Sequence, residues 1–274
     1  MQDRKLDVII TAYNCKNTLG RTLDSLVKQT NKNFTALVVD DCSTQDIRSI
    51  VEEYKDRLSI RYVRNSENRG CGMSRQRGID ETKADYIAFL DSDDVLLPNT
   101  VDVWLAEIER EKPDVIYSPF LFEKDGKIRV KHCFFMCHGK VYCVGFLRKY
   151  DIGEAEEIKC CDDSYLNWQA FDLANDVSLL KIPTYIQIKT NGSLTDSLQF
   201  YADSINDGTI AKQLAIEKIA RYKHNPLSNY EAIRQKVDKL IYDEAKNHQN
   251  IIKELFTVGE IAISTDATEQ GATE

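Results

Sequence analysis

Three features of other protein classes are missing from this chain, and each absence narrows its function. No apolar run reaches the ~18 residues that a membrane-spanning helix needs. The 44 acidic residues outnumber the 36 basic ones, and the net charge of -8 argues against nucleic acid as a partner, because backbone binding needs a basic face. No G-x-G-x-x-G loop and no G-x-x-x-x-G-K-[ST] loop occurs, so dehydrogenase and ordinary nucleotide-triphosphatase functions lose support.

The first seven residues also lack the features of a secretory signal. They are charged and lead into a short apolar run, without the longer apolar stretch and small-residue cleavage site that a signal peptide needs. We therefore expect a cytoplasmic location, with peripheral contact at the inner face of a membrane left open. The eight cysteines are then expected to be reduced thiols.

One run of cysteine and histidine allows two interpretations. It contains His132, Cys133, Cys137, His138 and Cys143. A zinc site would show a tight cysteine pair followed by a second matching pair, whereas here only one spacing fits. The alternative is a set of buried thiols among aromatic residues, and the missing second pair favours it.

The first half of the chain alternates between apolar runs of strand length and segments with helical periodicity. Predicted strands cover residues 6–13, 34–39, 60–63 and 86–90. Predicted helices cover residues 19–27, 47–54, 73–82 and 98–111, the last beginning at a proline. This alternation predicts an α/β fold with a mostly parallel sheet flanked by helices.

The second half is predicted to add a hairpin, mixed elements and then helices. The remaining predicted strands are 115–122 and 128–133, joined by an Asp125-Gly126 turn, and 184–189. The remaining predicted helices are 162–171, 205–222 and 229–256. We therefore predict a catalytic domain over residues 1–203, a helical C-terminal extension over 204–263 and a disordered tail over 264–274.

Polar clusters follow three of the predicted strands. They are Tyr13-Asn14, Asp40-Asp41 and Asp91-Ser92-Asp93-Asp94. Ligands of open α/β sheets bind beyond the carboxyl ends of the strands, where these clusters are expected to meet. Each cluster alone is also compatible with a cap or a turn, but together they predict one site.

The chemistry of this site is indicated by its carboxylates and by a glycine-bearing loop. In Asp91-Ser92-Asp93, two carboxylates follow a buried strand, and hard cations such as Mg²⁺ or Mn²⁺ favour such oxygen ligands. The alternative is that Ser92 or Asp94 caps the next helix. The segment from Asn68 to Gly78 runs into a helix that carries arginines, an arrangement suited to phosphate binding, although a plain solvated turn has the same composition.

The combined motifs resemble family 2 glycosyltransferases with the GT-A fold, a Rossmann-like α/β architecture. The resemblance is dense from Leu6 to about Pro98 and continues more weakly to about Thr195. The segments that carry it are Val8-Ile9-Ile10-Thr11-Ala12-Tyr13-Asn14, Ser25-Leu26-Val27-Lys28-Gln29-Thr30, Val38-Val39-Asp40-Asp41-Cys42-Ser43-Thr44, Asn68-Arg69-Gly70, Ser74-Arg75 and Phe89-Leu90-Asp91-Ser92-Asp93-Asp94.

This resemblance implies roles for individual residues. Tyr13 and the pair Asp40-Asp41 would hold the base, Arg75 would approach the diphosphate, and Asp91 would bind ribose and metal. The implied nucleotide-binding set is Thr11, Tyr13, Asp40, Asp41, Asn68, Arg75, Asp91 and Ser92. Asp93, the last aspartate of the D-x-D, would be the main ligand of Mn²⁺ or Mg²⁺.

A later acidic pair, Asp162-Asp163, fits the place of the catalytic base in this family. We take Asp163 as the base, because direct displacement at an anomeric carbon needs a group that accepts the acceptor's proton. The choice between the two aspartates stays open, and the alternative is that they cap the helix that follows. The segment from Gly192 to Thr195 resembles the one that closes the site in relatives.

The chain departs from the family pattern at four positions. Cys42 stands at a usual glycine, so a positive φ there would be strained or the turn would differ. The other departures are Ser74 for alanine, Gln76 for asparagine and Asp162 for glutamate. None removes a charge that the mechanism needs.

The implied activity is inverting transfer of a sugar from a nucleotide-diphosphate sugar, with UDP favoured, to an acceptor hydroxyl in cell-surface glycan synthesis. The acceptor is left open among a glycan, a lipid-linked oligosaccharide and a protein. A binding module that has lost turnover is the alternative; a nucleotidyltransferase has little support because its glycine- and lysine-rich loop is missing. The C-terminal helices would shape the acceptor site, pair two subunits as a homodimer or touch a membrane, but their interleaved charges favour a solvated face.

Overall fold

The computed structural model describes residues 5–124, 126–189 and 198–239, with the backbone alone described over 198–206. Its strands are β1 (Leu6–Ala12), β2 (Thr35–Asp40), β3 (Ile60–Arg64), β4 (Tyr86–Asp91), β5 (Val95–Leu96), β6 (Val115–Tyr117), β7 (Phe120–Lys124), β8 (Lys127–Lys131), β9 (Lys140–Cys143), β10 (Val177–Leu179) and β11 (Tyr185–Ile188). Its helices are α1 (Leu19–Val27), α2 (Arg48–Glu53), α3 (Cys71–Glu81), α4 (Thr100–Glu111), α5 (Val144–Lys149), α6 (Asp162–Leu173) and α7 (Leu198–Ile219).

The main sheet has seven strands in the order β10-β6-β9-β4-β1-β2-β3. The central strand β1 is parallel to β2 and β4, and the pairs β2–β3 and β6–β10 are also parallel. Strand β9 runs antiparallel to both of its neighbours, β4 and β6. The predicted α/β fold with a mostly parallel sheet is therefore confirmed.

Apolar residues on both faces of the central strands explain this architecture. All seven residues of β1 are buried, and neighbouring residues point into two different cores, Ile9 into one and Ile10 into the other. On the second face, α1 packs Leu19, Leu23 and Leu26 against the sheet with no exposed surface. Strands covered on both faces read as continuous apolar runs, which is why these elements were predictable.

A second sheet, in the order β5-β11-β7-β8, adjoins the first. Strands β7 and β8 form the predicted antiparallel hairpin, and Gly126 adopts the positive φ of 71° that its turn requires. The single strand predicted over residues 115–122 is wrong, because the chain leaves the main sheet after β6 and enters the second sheet at β7. The break falls at Ser118-Pro119, where proline has no N–H for a ladder.

Other predicted boundaries need correction as well. Helix α4 begins at Thr100, with Asn99 as its cap, and not at Pro98. Strand β9 and helix α5 were not predicted, because four and six residues are too short to show a clear periodicity. The predicted helix over 205–222 is confirmed in part, since α7 begins earlier, at Leu198, and ends at Ile219.

The C-terminal part packs onto α6. Helix α7 contacts α6, and residues 228–239 are also helical. Asp172, near the end of α6, accepts hydrogen bonds from the backbone N–H groups of Leu227, Asn229 and Tyr230 at 2.8–3.0 Å and so fixes the start of this helical segment. The predicted closing segment 192–195 and tail 264–274 lie outside the described residues. Among the helices described, none has both the length and the apolar content of a membrane span.

Candidate active site

The three predicted polar clusters meet at one edge of the main sheet. In the strand register, Ala12 lies opposite Asp40, and Thr11 lies opposite Asp91. The loops that follow β1, β2 and β4 therefore leave the sheet side by side. A ligand beyond this edge meets all three.

The Asp40-Asp41 pair is buried and already engaged within the protein. Asp40 accepts hydrogen bonds from Ser43 N–H at 2.8 Å and from Arg64 Nη1 at 2.6 Å. Burial acts to raise the pKa of Asp40, but hydrogen bonds from Ser43 and Tyr62 outweigh it and lower that pKa. Asp40 thus contributes negative charge at the predicted nucleobase site, with Asp41 beside it.

Asp41 organises the loop that leads into α3. Its Oδ1 accepts from Arg69 N–H at 2.9 Å and from Asn65 Nδ2 at 2.9 Å, and its Oδ2 accepts from Gly70 N–H at 2.8 Å. Asn68 lies in the same loop, with its side-chain oxygen 3.2 Å from the Gly70 nitrogen. Gly70 has a φ of 89°, which places the first turn of α3 against the site.

The backbone of the loop after β1 is fixed by hydrogen bonds, while the ring of Tyr13 in this loop is exposed. The backbone N–H groups of Thr44 and Gln45 donate to Asn14 Oδ1 at 2.9 and 3.2 Å, and Asn14 has a φ of 49°. Tyr13 is 48% exposed and is available for a ligand ring. Thr11 lies at the floor, with its hydroxyl 3.4 Å from the thiol of Cys71.

The departure at Cys42 is accommodated in the conformation that glycine would adopt. Cys42 has a φ of 61°, so the family turn is kept and the side chain carries the strain. Its thiol lies 3.7 Å from Arg64 Nη2. Cys42 therefore has the positive φ that the sequence analysis considered for this position.

Arg75 on α3 connects the strand-end carboxylates to the later acidic pair. Its Nη2 lies 3.4 Å from Asp91 Oδ1, its Nη1 lies 2.6 Å from Asp162 Oδ2, and it also pairs with Asp163. Burial acts to lower the pKa of Arg75, but the carboxylates raise it well above its usual value. The side chain is 5% exposed, so one charged guanidinium bridges three carboxylates in a dry setting.

The acidic pair stands in the first turn of α6, where the helix dipole favours negative charge. The cap of α6 is Cys161, with a φ of 63°, so the interpretation of Asp162 and Asp163 as capping residues is wrong. Asp163 Oδ2 accepts a hydrogen bond from Cys137 N–H at 3.0 Å. Burial, which outweighs the lowering effect of Arg75, raises the pKa of Asp162 to about 6.

A glycine permits the approach of α3 to α6. A Cβ atom at Gly72 would lie 2.9 Å from the Cβ of Asp162, closer than such atoms come in proteins. Any side chain here would push the acidic pair away from Arg75. The glycine loop therefore has a packing role in addition to its position near the strand ends.

The structure adds His138, which sequence analysis had considered only as a zinc ligand or a packing residue. Its Nε2 lies 3.1 Å from Asp91 Oδ2 and 3.8 Å from Asp94 Oδ2. Its ring stacks on Tyr185 at 4.6 Å between centroids and meets Phe120 edge-on at 5.1 Å. No sequence spacing links a histidine to a motif 47 residues earlier, so only the antiparallel placement of β9 reveals the contact.

Asp91, Asp94 and His138 form the grouping among the described residues that could hold a metal ion, with ligand atoms within 4.8 Å of one another. Both oxygens of Asp94 already accept hydrogen bonds, from Tyr185 O–H at 2.6 Å and from Ile188 N–H at 2.7 Å. Burial raises the pKa of Asp94 to about 8. Asp94 is thus held by the protein, which leaves Asp91 as the strand-end carboxylate turned toward the site.

Ser92 and Asp93 lie at the rim and are half-buried. The Ser92 hydroxyl hydrogen-bonds the thiol of Cys15. Arg21 Nη2 donates to the backbone carbonyl of Asp93 at 2.5 Å, which holds the turn between β4 and β5. Asp93 is outside the grouping formed by Asp91, Asp94 and His138.

Glu154 is a further carboxyl group that sequence analysis missed. Neither of its carboxylate oxygens has a hydrogen-bond partner, although both are buried. Its backbone N–H donates to Gln76 Oε1 at 2.9 Å, which ties the residue to α3. Burial, together with the nearby charge of Asp162, raises the pKa of Glu154 well above its usual range.

Comparisons with known proteins find similar glycosyltransferases. A family model described as "Glycosyl transferase family 2" matches residues 7–161. The UDP-Glc:alpha-D-GlcNAc-diphosphoundecaprenol beta-1,3-glucosyltransferase WfaP of Escherichia coli is 37% identical over 120 residues, covering 44% of this chain and 47% of WfaP. The poly(ribitol-phosphate) beta-N-acetylglucosaminyltransferase TarS of Staphylococcus aureus is 27% identical over 199 residues, covering 66% of this chain and 35% of TarS.

Solved structures share the fold. A crystal structure of TarS residues 1–349 has a TM-score of 0.67 and 25% identity, covering 78% of this chain and 65% of that one. The same TarS fragment with UDP-GlcNAc has a TM-score of 0.64 and 24% identity, with coverage of 92% and 81%. A mannosyltransferase from Pyrobaculum calidifontis with GDP-Man and Mn²⁺ has a TM-score of 0.57 and 14% identity, with coverage of 93% and 86%. The chain spans less than half the length of the two curated relatives described above.

Proposed function

This chain belongs to glycosyl transferase family 2, and we propose that it is an inverting enzyme that moves a sugar from a UDP-sugar to an acceptor hydroxyl. One observation carries the proposal. Arg75 joins Asp91, at the strand edge where a nucleotide would bind, to Asp162 and Asp163, at the start of α6. The strand edge proposed for the donor and the aspartates proposed for the catalytic base are thereby linked through one arginine.

The donor we propose is a UDP-sugar. WfaP is named for UDP-Glc, and TarS has been solved with UDP-GlcNAc. The exposed ring of Tyr13 would stack on uracil above the charges of Asp40 and Asp41. The other proposed donor contacts are Thr11, Asn68, Arg75, Asp91 and Ser92.

A divalent cation, Mn²⁺ or Mg²⁺, fits the donor set of this site. Asp91 and Asp93 offer hard carboxylate oxygens next to the strand edge, as such cations prefer. We propose Asp93 as the main ligand with Asp91 beside it. The cation supplies positive charge to the diphosphate leaving group. His138 fixes the Asp91 side chain, because its Nε2 lies 3.1 Å from Asp91 Oδ2.

Asp163 is the proposed base. Its carboxylate would take the proton of the acceptor hydroxyl while that oxygen bonds to the anomeric carbon and the carbon–diphosphate bond breaks. The Cys137 N–H and Arg75 hold this carboxylate in place. Asp162 remains the alternative, and its raised pKa of about 6 is suited to proton transfer near neutral pH.

The acceptor would be a cell-surface glycan, a lipid-linked oligosaccharide or a protein. The functions named for WfaP and TarS support the glycan class. The absence of a membrane-spanning helix among the described residues is compatible with a cytoplasmic site of action, which we propose. The competing function is a binding module on the same fold that has lost turnover.

A thermal-shift panel tests the donor site. The full chain would be measured with UDP, GDP, CDP and dTDP, each with and without Mn²⁺. Because a ligand that binds only the native state raises the melting temperature, we expect UDP to raise it and Mn²⁺ to increase the effect. The Asp93→Ala variant should keep the unliganded melting temperature and lose the Mn²⁺ increment.

Two outcomes would go against the proposal. A Mn²⁺ increment in Asp93→Ala as large as that of the wild type would remove Asp93 from the metal site. Absence of a shift with all four nucleotides would favour the inactive module. Detection of sugar transfer to any acceptor would eliminate that alternative.

A further inference from the structure

The loop over residues 132–139, between β8 and β9, presents an aromatic ring to solvent beside the proposed base. Phe135 is 41% exposed. Its ring meets that of Trp168 edge-on at 6.0 Å and that of Tyr230 at 6.2 Å between centroids. The exposed ring is thus one face of a supported aromatic group.

Hydrogen bonds fix this loop to the first turns of α6. Asn167 Nδ2 donates to the carbonyl of Phe135 at 3.2 Å and to the carbonyl of Asp163 at 2.7 Å. Two residues further along, Cys137 N–H donates to the Asp163 carboxylate at 3.0 Å. Phe135 is therefore two residues, a chain length of at most about 7 Å, from a residue that contacts the Asp163 carboxylate directly.

The buried side chain of Lys140 also fixes this loop through hydrogen bonds. Lys140 Nζ donates to the carbonyl of Cys133 at 2.8 Å and to that of Met136. The phenyl ring therefore projects from a backbone tied down on both sides of Phe135. A rigid, exposed aromatic ring is a binding surface that loses little conformational entropy when a ligand covers it.

We propose that Phe135, supported by Trp168, is a stacking platform for a pyranose ring of the acceptor, which directs the attacking hydroxyl to Asp163. The inference rests on the proposed function and names the subsite of its acceptor. A pyranose presents C–H groups on one face and hydroxyls at its rim, which suits an aromatic face beside a carboxylate. The nearby cation, Lys140, is turned inward to two carbonyls and does not serve an anionic acceptor.

Saturation-transfer NMR tests the platform without knowledge of the natural acceptor. The probes are the methyl β-glycosides of glucose, galactose and N-acetylglucosamine, each added to the full chain with UDP and Mn²⁺. We expect saturation to pass from aromatic protons to the ring C–H protons of at least one glycoside. Phe135→Leu, which keeps an apolar side chain, should weaken that binding about five- to tenfold, and Phe135→Trp should retain it.

Tyr222→Leu is the matched control, since Tyr222 is 46% exposed and packs edge-on against Tyr150, which is not a residue of this loop. It should bind the glycoside as the wild type does. The platform is overturned if Phe135→Leu binds the glycoside with wild-type affinity, or if no glycoside binds while UDP still raises the melting temperature. Absence of any UDP response would instead count against the proposed function.

Discussion

At the residue scale, the site is organised around Arg75, one positive charge that faces three carboxyl groups. One guanidinium meets the carboxylates of Asp91, Asp162 and Asp163, all in a largely water-excluded setting. Burial raises the pKa of Asp162, and the like charge of the neighbouring Asp163 acts in the same direction. The two adjacent aspartates also differ in their contacts, because Asp163 accepts a hydrogen bond from the Cys137 N–H.

This difference predicts how the two aspartates respond to substitution. Asp163→Asn should lower the rate of sugar transfer about 10²- to 10⁴-fold, the usual effect of removing a general base. Binding of UDP, measured by thermal shift, should stay at the wild-type level because the strand-edge contacts are intact. Asp162→Asn is the matched variant and should lose less activity; the reverse order of effects would assign the base to Asp162.

The buried carboxyl group of Glu154 is expected to make the free energy of unfolding depend on pH. Its pKa is raised in the folded protein, so the folded state holds a proton that the unfolded state releases above its usual value of 4.5. Stability contributed by the neutral carboxyl is therefore complete at lower pH and is lost as pH rises toward the folded pKa. Glu154→Gln cannot ionise and should gain free energy of unfolding relative to the wild type as the pH rises above about 5.

Denaturant unfolding of both proteins across this pH range measures the effect. Glu157→Gln is a suitable control, because Glu157 is exposed in the same segment and its substitution should leave the pH dependence unchanged. A constant difference between Glu154→Gln and wild type at every pH would show that Glu154 is ionised in the folded protein.

At the element scale, the loop over residues 132–139 ties the two halves of the site together. His138 contacts Asp91 at the end of β4, Cys137 contacts Asp163 on α6, and the carbonyl of Phe135 accepts a hydrogen bond from Asn167 of α6. The loop owes its shape to Lys140, the first residue of β9, whose ammonium group is buried. Burial lowers the pKa of Lys140 to about 8, while the nearby Cys133, Cys137 and Asp163 act to raise it.

Lys140→Met is therefore expected to destabilise the fold and loosen the site. It leaves the buried carbonyls of Cys133 and Met136 without a donor, at a cost on the order of 1–3 kcal/mol. Chemical unfolding should show this loss, and transfer activity at a temperature where the variant is folded should also fall. Lys127→Met changes an exposed lysine of the adjacent hairpin and should do neither. Wild-type activity in the folded Lys140→Met variant would show that catalysis does not depend on how Lys140 fixes the loop over residues 132–139.

At the scale of the whole molecule, sequence alone was sufficient for the elements buried on both faces. The runs that became β1, β2 and β4 are continuous and apolar, and their polar ends could be placed together because parallel strands end at the same edge. The split between β6 and β7 was not predictable from periodicity, because both segments are apolar. What separates them is Pro119 and the pairing of β7 with β11.

The part of the site that escaped sequence analysis depends on long-range packing. Arg75 and Asp162 are 87 positions apart, and His138 and Asp91 are 47 apart, so no local pattern joins them. Asp163 was nominated only through its resemblance to a family position. Its contacts with Arg75 and Cys137 emerge once β9 is inserted between β4 and β6.

Net charge predicts how the whole chain meets a membrane. The net charge of -8, and the pairing of Lys218 with Asp151 and of Lys223 with Asp172, weaken the attraction of the chain to anionic lipid. We expect the full chain to remain unbound in flotation with phosphatidylglycerol vesicles at physiological salt, as with neutral phosphatidylcholine vesicles. Flotation that requires anionic lipid and weakens with salt would contradict this and indicate a basic contact surface, because exposed charge attraction is screened within a Debye length of about 8 Å. Absence of flotation would favour contact with a lipid-linked acceptor through its sugar, beside Phe135 and Asp163, and not through its bilayer.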